Sequence, residues 1–166
     1  ISLPKTIKVI NKAAFSGCTS LNTINIPNSV NYIDIHAFDT CTSLKEITIP
    51  DSVNIIDENA FGNCSSLIKV ELPSGLTKIN KGVFNSCTSL VSINLPESVS
   101  WIGDFAFSNC SSLEIINIPK GVTTIGEFTF FLCKSLESII IPSSVVEIGS
   151  EVFSGCDLIT VYCEVE

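Results

Sequence analysis

Proline recurs every 23 residues along this chain, at Pro4, Pro27, Pro50, Pro73, Pro96, Pro119 and Pro142. A fixed period of about 20 to 29 residues marks a solenoid, in which each repeat buries its apolar face only against its neighbours. Other columns keep the same register. Phenylalanine recurs from Phe15 to Phe153, cysteine from Cys18 to Cys156 and leucine from Leu21 to Leu136. After Cys156 the last copy is one residue short, which sets Leu158, Val161 and Cys163 where Leu, Ile and Ile stand earlier. Residues 156–166 therefore read as an irregular C-terminal cap, and 1–166 as one solenoid domain of about seven repeats with an open start at Ile1.

The local pattern predicts the coil. Ile24 and Ile26, with Thr23 and Asn25 between them, alternate as a short strand with one buried face, and the proline that follows each such strand belongs at its boundary because it cannot donate to a ladder. Val30 and Ile33 supply a second, weaker strand. The column Asn11, Asp34, Asp57, Asn80, Gly103, Gly126 and Gly149 holds the residue types that best tolerate positive φ, so it predicts a left-handed turn. The A-F-x-x-C segment has helical or 3₁₀ spacing. The expected fold class is an α/β solenoid: parallel short strands joined by helical or 3₁₀ turns.

Composition excludes several functions. The chain carries 17 acids against 9 basic residues, all lysine, for a formal charge of −8. No basic face is available for phosphate, so no nucleic acid is expected as a partner. No apolar run reaches the roughly 18 to 20 residues that span a bilayer, so no membrane insertion is expected. The absence of methionine and a start inside a strand column predict a processed product or an excised segment. Charge is uneven along the chain: residues 1–33 hold Lys5, Lys8 and Lys12 and no acid, whereas residues 135–166 hold six acids and no lysine.

One full copy reads Pro96-Glu97-Ser98-Val99, Ile102-Gly103-Asp104-Phe105-Ala106-Phe107 and Cys110-Ser111-Ser112-Leu113. This combination of I-P-x-S-V, I-G-x-x-A-F and C-x-S-L resembles the BspA-type leucine-rich repeat over essentially the whole chain. The resemblance implies a surface or secreted protein of a host-associated microbe, with adhesion and binding of host matrix or cell-surface proteins as the usual roles. It carries no catalytic motif.

The columns also bear on each candidate site. Cysteines 23 residues apart stack about 4.8 Å apart with parallel side chains, whereas a disulfide wants Cβ atoms roughly 3.5 to 4.5 Å apart, so Cys18 to Cys133 read as a buried, reduced ladder. Cys156 and Cys163 stay open as a pair. No zinc spacing occurs, and no metal or cofactor is expected. His36, the only histidine, falls in the variable column with Ala13, Asn59, Gly82, Phe105, Phe128 and Glu151, a surface position unsuited to catalysis. Asp34 and Asp57 are explained by the turn column rather than as an acid/base pair. Asn63 and Asn109 each open an N-x-S tripeptide, either a glycosylation acceptor or a filler before Cys-Ser.

Two surfaces remain. The exposed strand column Ser2, Asn25, Thr48, Glu71, Asn94, Asn117 and Ile140 suits either a concave recognition face or plain solvation of a sheet. Phe105, Phe128, Phe131 and Leu132 place apolar side chains in columns that other repeats mostly keep small or polar, Trp101 lies four residues before Phe105, and stacking brings these columns to about 5 Å of one another. They form either a binding patch or a mutually buried filler. The expected function is a non-enzymatic protein-binding or adhesion module, extracellular or at the cell surface. The alternative is a self-assembling unit, its basic start meeting its acidic end in head-to-tail filaments.

Overall fold

A computed structural model describes residues 1–164; positions 165 and 166 of the expected cap lie outside the described residues. The chain winds as a parallel β-solenoid of seven coils, numbered here by the phenylalanine each contributes, from Phe15 in coil 1 to Phe153 in coil 7.

Each coil has three sides. The first carries the I-x-I strands. Glu46–Thr48 pairs with Lys69–Glu71, Ser92–Ile93 with Ile115–Ile116, and Ser138–Ile141 with Thr160–Cys163, all parallel. In the last pair Ile139 faces Val161 and Ile141 faces Cys163, the register expected after the one-residue deletion. Pro27 and Pro50 then open tight turns, their carbonyls accepting from the amides of Val30 and Val53 at 3.0 and 2.9 Å. The second side carries two-residue strands, Val9–Ile10, Tyr32–Ile33 and Ile55–Ile56 in one sheet and Lys78–Ile79, Trp101–Ile102, Thr124–Ile125 and Glu147–Ile148 in another. This ladder is not the weaker one: it joins three and four coils, whereas the first side is divided into pairs.

The third side corrects the expectation of helical turns. No residue among those described is helical. The A-F-x-x-C segment is an arc whose amides alternate between two partners. Ala37 and Asp39 donate within the coil, to Asp34 and His36 carbonyls, while His36, Phe38 and Thr40 donate to Glu58, Ala60 and Gly62 of the next coil at 2.8 to 3.0 Å. The same three forward bonds recur between each pair of neighbouring coils, ending with Phe128, Phe130 and Leu132 donating to Ser150, Val152 and Ser154. Two residues per arc break the helix. Ala13, His36, Asn59, Gly82, Phe105, Phe128 and Glu151 take φ of 53 to 62°, and Gly17, Thr40, Asn63, Ser86, Asn109, Leu132 and Gly155 take 57 to 75°. A right-handed helix needs consecutive negative φ, so neither an α-helix nor a 3₁₀ run propagates through them.

The left-handed positions are therefore not the Asn/Asp/Gly column. Gly103, Gly126 and Gly149 keep negative or extended φ, and what they supply is space: a Cβ on Gly126 would stand 2.5 Å from the amide nitrogen of Asp104. In the earlier coils the same column is polar because its side chains bind backbone. Asp34 accepts from the amides of Ile35 and Lys12 at 2.7 and 3.0 Å, and Asn80 Nδ2 donates to the Ile56 carbonyl at 2.8 Å.

Between the three sides runs one core. Phe38, Phe61, Phe84, Phe107 and Phe130 are fully buried, and successive rings from Phe15 to Phe153 stack with centroids 5.2 to 5.9 Å apart. Burying a phenylalanine contributes about 1.5–3 kcal/mol, and each aromatic contact adds roughly 0.5–1.5 kcal/mol.

Candidate interaction surface

The aromatic patch is built where the arc must turn left-handed. Phe105 and Phe128 occupy the first such position of coils 5 and 6, with φ of 56 and 55°. Their rings stack 5.0 Å apart at 5°, and Phe131 meets Phe128 edge-on at 5.7 Å and 80°. All three remain half-buried. For a side chain larger than glycine or asparagine the left-handed region costs roughly 1–2 kcal/mol, which offsets what a stacked aromatic pair adds beyond the area it buries.

Trp101 joins the patch from the second ladder. Its indole lies across Gly103, and the ammonium groups of Lys78 and Lys81 sit 5.8 and 5.9 Å from the centroids of Trp101 and Phe105. Leu132 stands at the second left-handed position of coil 6 with its side chain seated on Gly155. Carboxylates follow on the far side: Asp104 and Glu127 precede the two phenylalanines, and Glu151 takes the next place in their column. The lysine contacts and this acidic flank were not singled out in the sequence. Their signal was present in the same columns, with lysine in coil 4 and acids in coils 5 to 7.

The exposed strand column lies on the first side of the coil and borders two open grooves. One, of about 900 Å³, is bordered by Glu71, Asn94 and Asn117 with Pro96, Pro119 and Lys120. The other, of about 580 Å³, takes in Asn25, Thr48 and Glu71. Glu71 is tied down by the Lys69 ammonium at 2.8 Å and the Thr48 hydroxyl at 2.9 Å, which hold its carboxyl below the usual range. Ile140 is exposed beyond them.

The model of the BspA type leucine-rich repeat region matches in six copies, over residues 1–87 and 56–165. The chain belongs to the BspA-type leucine-rich repeat family. Among solved structures, this BspA-type chain is similar to the Treponema pallidum leucine-rich repeat protein TpLRR, with 37% identity and a TM-score of 0.91 over 96% of this chain and 77% of that one. It is also similar to a leucine-rich repeat protein of Bacteroides ovatus, with 31% identity and a TM-score of 0.84 over 98% of this chain. A protein from Eubacterium ventriosum shares 26% identity with a TM-score of 0.84 over 93% of this chain. The chain spans about half the length of the latter two, 48% and 42%. No protein of curated function matches the sequence.

The remaining BspA-type columns settle into structural places. Cys41, Cys64, Cys87, Cys110, Cys133 and Cys156 are buried, and each thiol donates to a phenylalanine carbonyl 26 residues earlier, as Cys64 does to Phe38 at 3.2 Å. Burial pushes the thiol pKa of Cys41 up to about 11 and those of Cys64 and Cys110 to about 12. Cys18 departs from the expected ladder: it is exposed. Cys156 and Cys163 are both free thiols. His36 is left-handed, with Nδ1 3.4 Å from Asp39. Asn63 and Asn109 both adopt φ of 57°, so the backbone need for a residue that tolerates this region accounts for the asparagine of each tripeptide. Asn63 is exposed, with its amide on Asp39, and Asn109 is half-buried against Ser86. Among the described residues no group of His, Cys, Asp and Glu is placed to hold a metal, and no helix is long and apolar enough to cross a membrane.

Sequence reading also missed Tyr32, in the column of Trp101, whose hydroxyl donates to the carboxylates of Asp57 and Asp34. The hydrogen bond to Asp57 and burial push its phenol above the ordinary range. The same place over the second ladder thus carries a polar cluster in coils 2 and 3 and an aromatic one in coils 5 and 6.

Proposed function

We propose that this solenoid is a non-enzymatic protein-binding module of a cell-surface or secreted protein, acting as one unit over residues 1–166, and that its contact surface is the patch of Trp101, Phe105, Phe128 and Phe131. One observation carries the reading: two phenylalanines occupy left-handed backbone positions and stay only partly buried. Left-handed strain offsets part of what such aromatics gain for folding, and aromatic clusters at a surface are favoured anchors of protein interfaces. The resemblance to BspA-type surface proteins supports adhesion to host matrix or cell-surface proteins as the setting.

The test uses substitutions that other coils already accommodate: Phe105→Asn and Phe128→Asn, as Asn59 stands in coil 3, and Phe131→Ser, as Ser108 stands in coil 5. Binding to immobilised extracellular-matrix and cell-surface proteins is expected for the parent chain and lost in the triple variant at unchanged circular dichroism. Equal binding by both would overturn the assignment of the patch.

A further inference from the structure

We infer that the partner presents a cationic side chain to this patch, arginine above all, seated on the Phe128 ring beside the carboxylates of Glu127 and Glu151. The inference rests on reading the patch as a contact surface and adds the chemistry of what it contacts.

On one flank the molecule already shows how the rings are met. Lys78 lies over Trp101 and Lys81 over Phe105, both from coil 4, each within reach of a cation–π attraction. On the opposite flank no such cation stands among the described residues. The residue that follows Trp101 and Thr124 in the column of Lys78 is Glu147, and the column of Lys81 continues as Asp104, Glu127 and Ser150. Glu151 succeeds Phe128 in its own column, and the bond from the Phe128 amide to the Ser150 carbonyl, 2.9 Å, sets those backbones side by side. Glu127, Glu147 and Glu151 are exposed, and none forms an ion pair among the described residues.

An aromatic face next to free carboxylates favours a group that is both planar and positive. A guanidinium meets both demands, stacking on the ring while its fork of N–H donors reaches the carboxylates; an ammonium meets them less fully because it is compact and more strongly hydrated. The chain does not supply this group to itself. It contains no arginine, its formal charge is −8, a second copy meeting it face to face would bring the same acidic flank, and the basic start of a copy, Lys5, Lys8 and Lys12, would bring ammonium groups and no guanidinium. The occupant that fits is a basic, arginine-bearing segment of a different protein.

Selection of a random peptide display library on the immobilised protein tests this, with three targets compared: the parent, Phe128→Asn/Phe131→Ser, and Glu127→Gln/Glu151→Gln. Circular dichroism and the emission of Trp101, the only tryptophan, verify that each target is folded. Peptides retained by the parent are expected to be rich in arginine, to be lost on the phenylalanine variant, and to bind the glutamine variant about tenfold more weakly, the scale of one partly desolvated cation–π and ion-pair contact. Patch-dependent peptides that are neutral or acidic, or that bind the glutamine variant as well as the parent, would overturn the cationic partner while leaving the patch in place. Retention that ignores the phenylalanine substitutions, or no enrichment at all, would overturn both. Self-association of the parent through Phe128 would replace the foreign partner with a second copy and overturn the inference.

Discussion

The indole of Trp101 lies across the backbone of Gly103, its Cη2 2.7 Å from the point where a Cβ on that glycine would stand. The amide nitrogen of Lys81 closes the other side at 2.9 Å, so the added atom has nowhere to go without moving either the ring or a coil. Gly103→Ala is expected to destabilise the fold by about 1–3 kcal/mol, the usual cost of overpacking, and to shift the emission of Trp101. Gly75→Ala, with nothing within 4 Å and no left-handed φ, serves as the control and should change neither. A Gly103→Ala protein with parental denaturation midpoint and emission would show that the indole is not seated there.

Replacing Phe128 by asparagine removes a stack worth about 0.5–1.5 kcal/mol and relieves a left-handed strain of about 1–2 kcal/mol. The two offset each other, which leaves the partial burial of the ring as the net loss, less than the roughly 1.5–3 kcal/mol of a fully buried side chain. The thermal midpoint of Phe128→Asn is therefore expected to fall only modestly, in contrast to Phe107→Ala, which empties the core and should cost about 3–5 kcal/mol. A large loss in Phe128→Asn would mean that the ring is a core residue.

Thiol reactivity should divide the cysteines by place in the stack. Cys18 and Cys163 are exposed and are expected to react with a soluble disulfide reagent in the native state; Cys41 to Cys133 are buried and should react only after unfolding. Peptide mapping of the labelled sites distinguishes the two sets. Rapid native labelling of Cys64 or Cys87 would contradict the closed core.

Alkali should weaken the fold in a defined window. An unfolded thiol titrates near 9.0, whereas burial holds Cys64 and Cys110 near 12. Above the unfolded value the unfolded chain binds fewer protons than the folded one, so stability is full below about pH 9 and falls as pH rises towards 12. Each of these two thiols contributes a slope of about 1.4 kcal/mol per pH unit in that range. Urea midpoints stepped from about pH 8 to about pH 11 should decline, and less steeply in Cys64→Ala. A flat profile would rule out buried thiols as the cause.

The sequence carried the coil count, the buried columns and the strand after each leucine, because a strict 23-residue period leaves one way to stack side chains. It did not carry the backbone of the arc. A-F-x-x-C has helical spacing, but spacing reports which side chains point inward and not the sign of φ between them. The column that looked left-handed was chosen by residue type, yet Asp34 and Asn80 are there to bond backbone and Gly126 to let coils approach. The truly left-handed column hid behind its variety, since a position that takes Ala13, His36, Phe105 and Glu151 reads as unconstrained. For the same reason the aromatic patch was legible as a departure from its columns, while the lysines that hold one flank and the carboxylates left free on the other were not.

The forward bonds of the arc all point the same way, every donor in one coil and its acceptor in the next. Along the arc the peptide dipoles add, as they do along a helix, and give this side of the solenoid a positive pole towards coil 7 and a negative pole towards coil 1, while ladder bonds such as those from Asp34 to Ile10 and from Gly149 to Ile125 run the other way. Glu137, Glu147, Glu151 and Asp157 gather near the positive pole, and Lys5, Lys8 and Lys12 near the negative. On the arc side the spread of charge thus opposes the field of the backbone, and Glu151 in the last arc and Lys12 beside the first stand where their signs cost least.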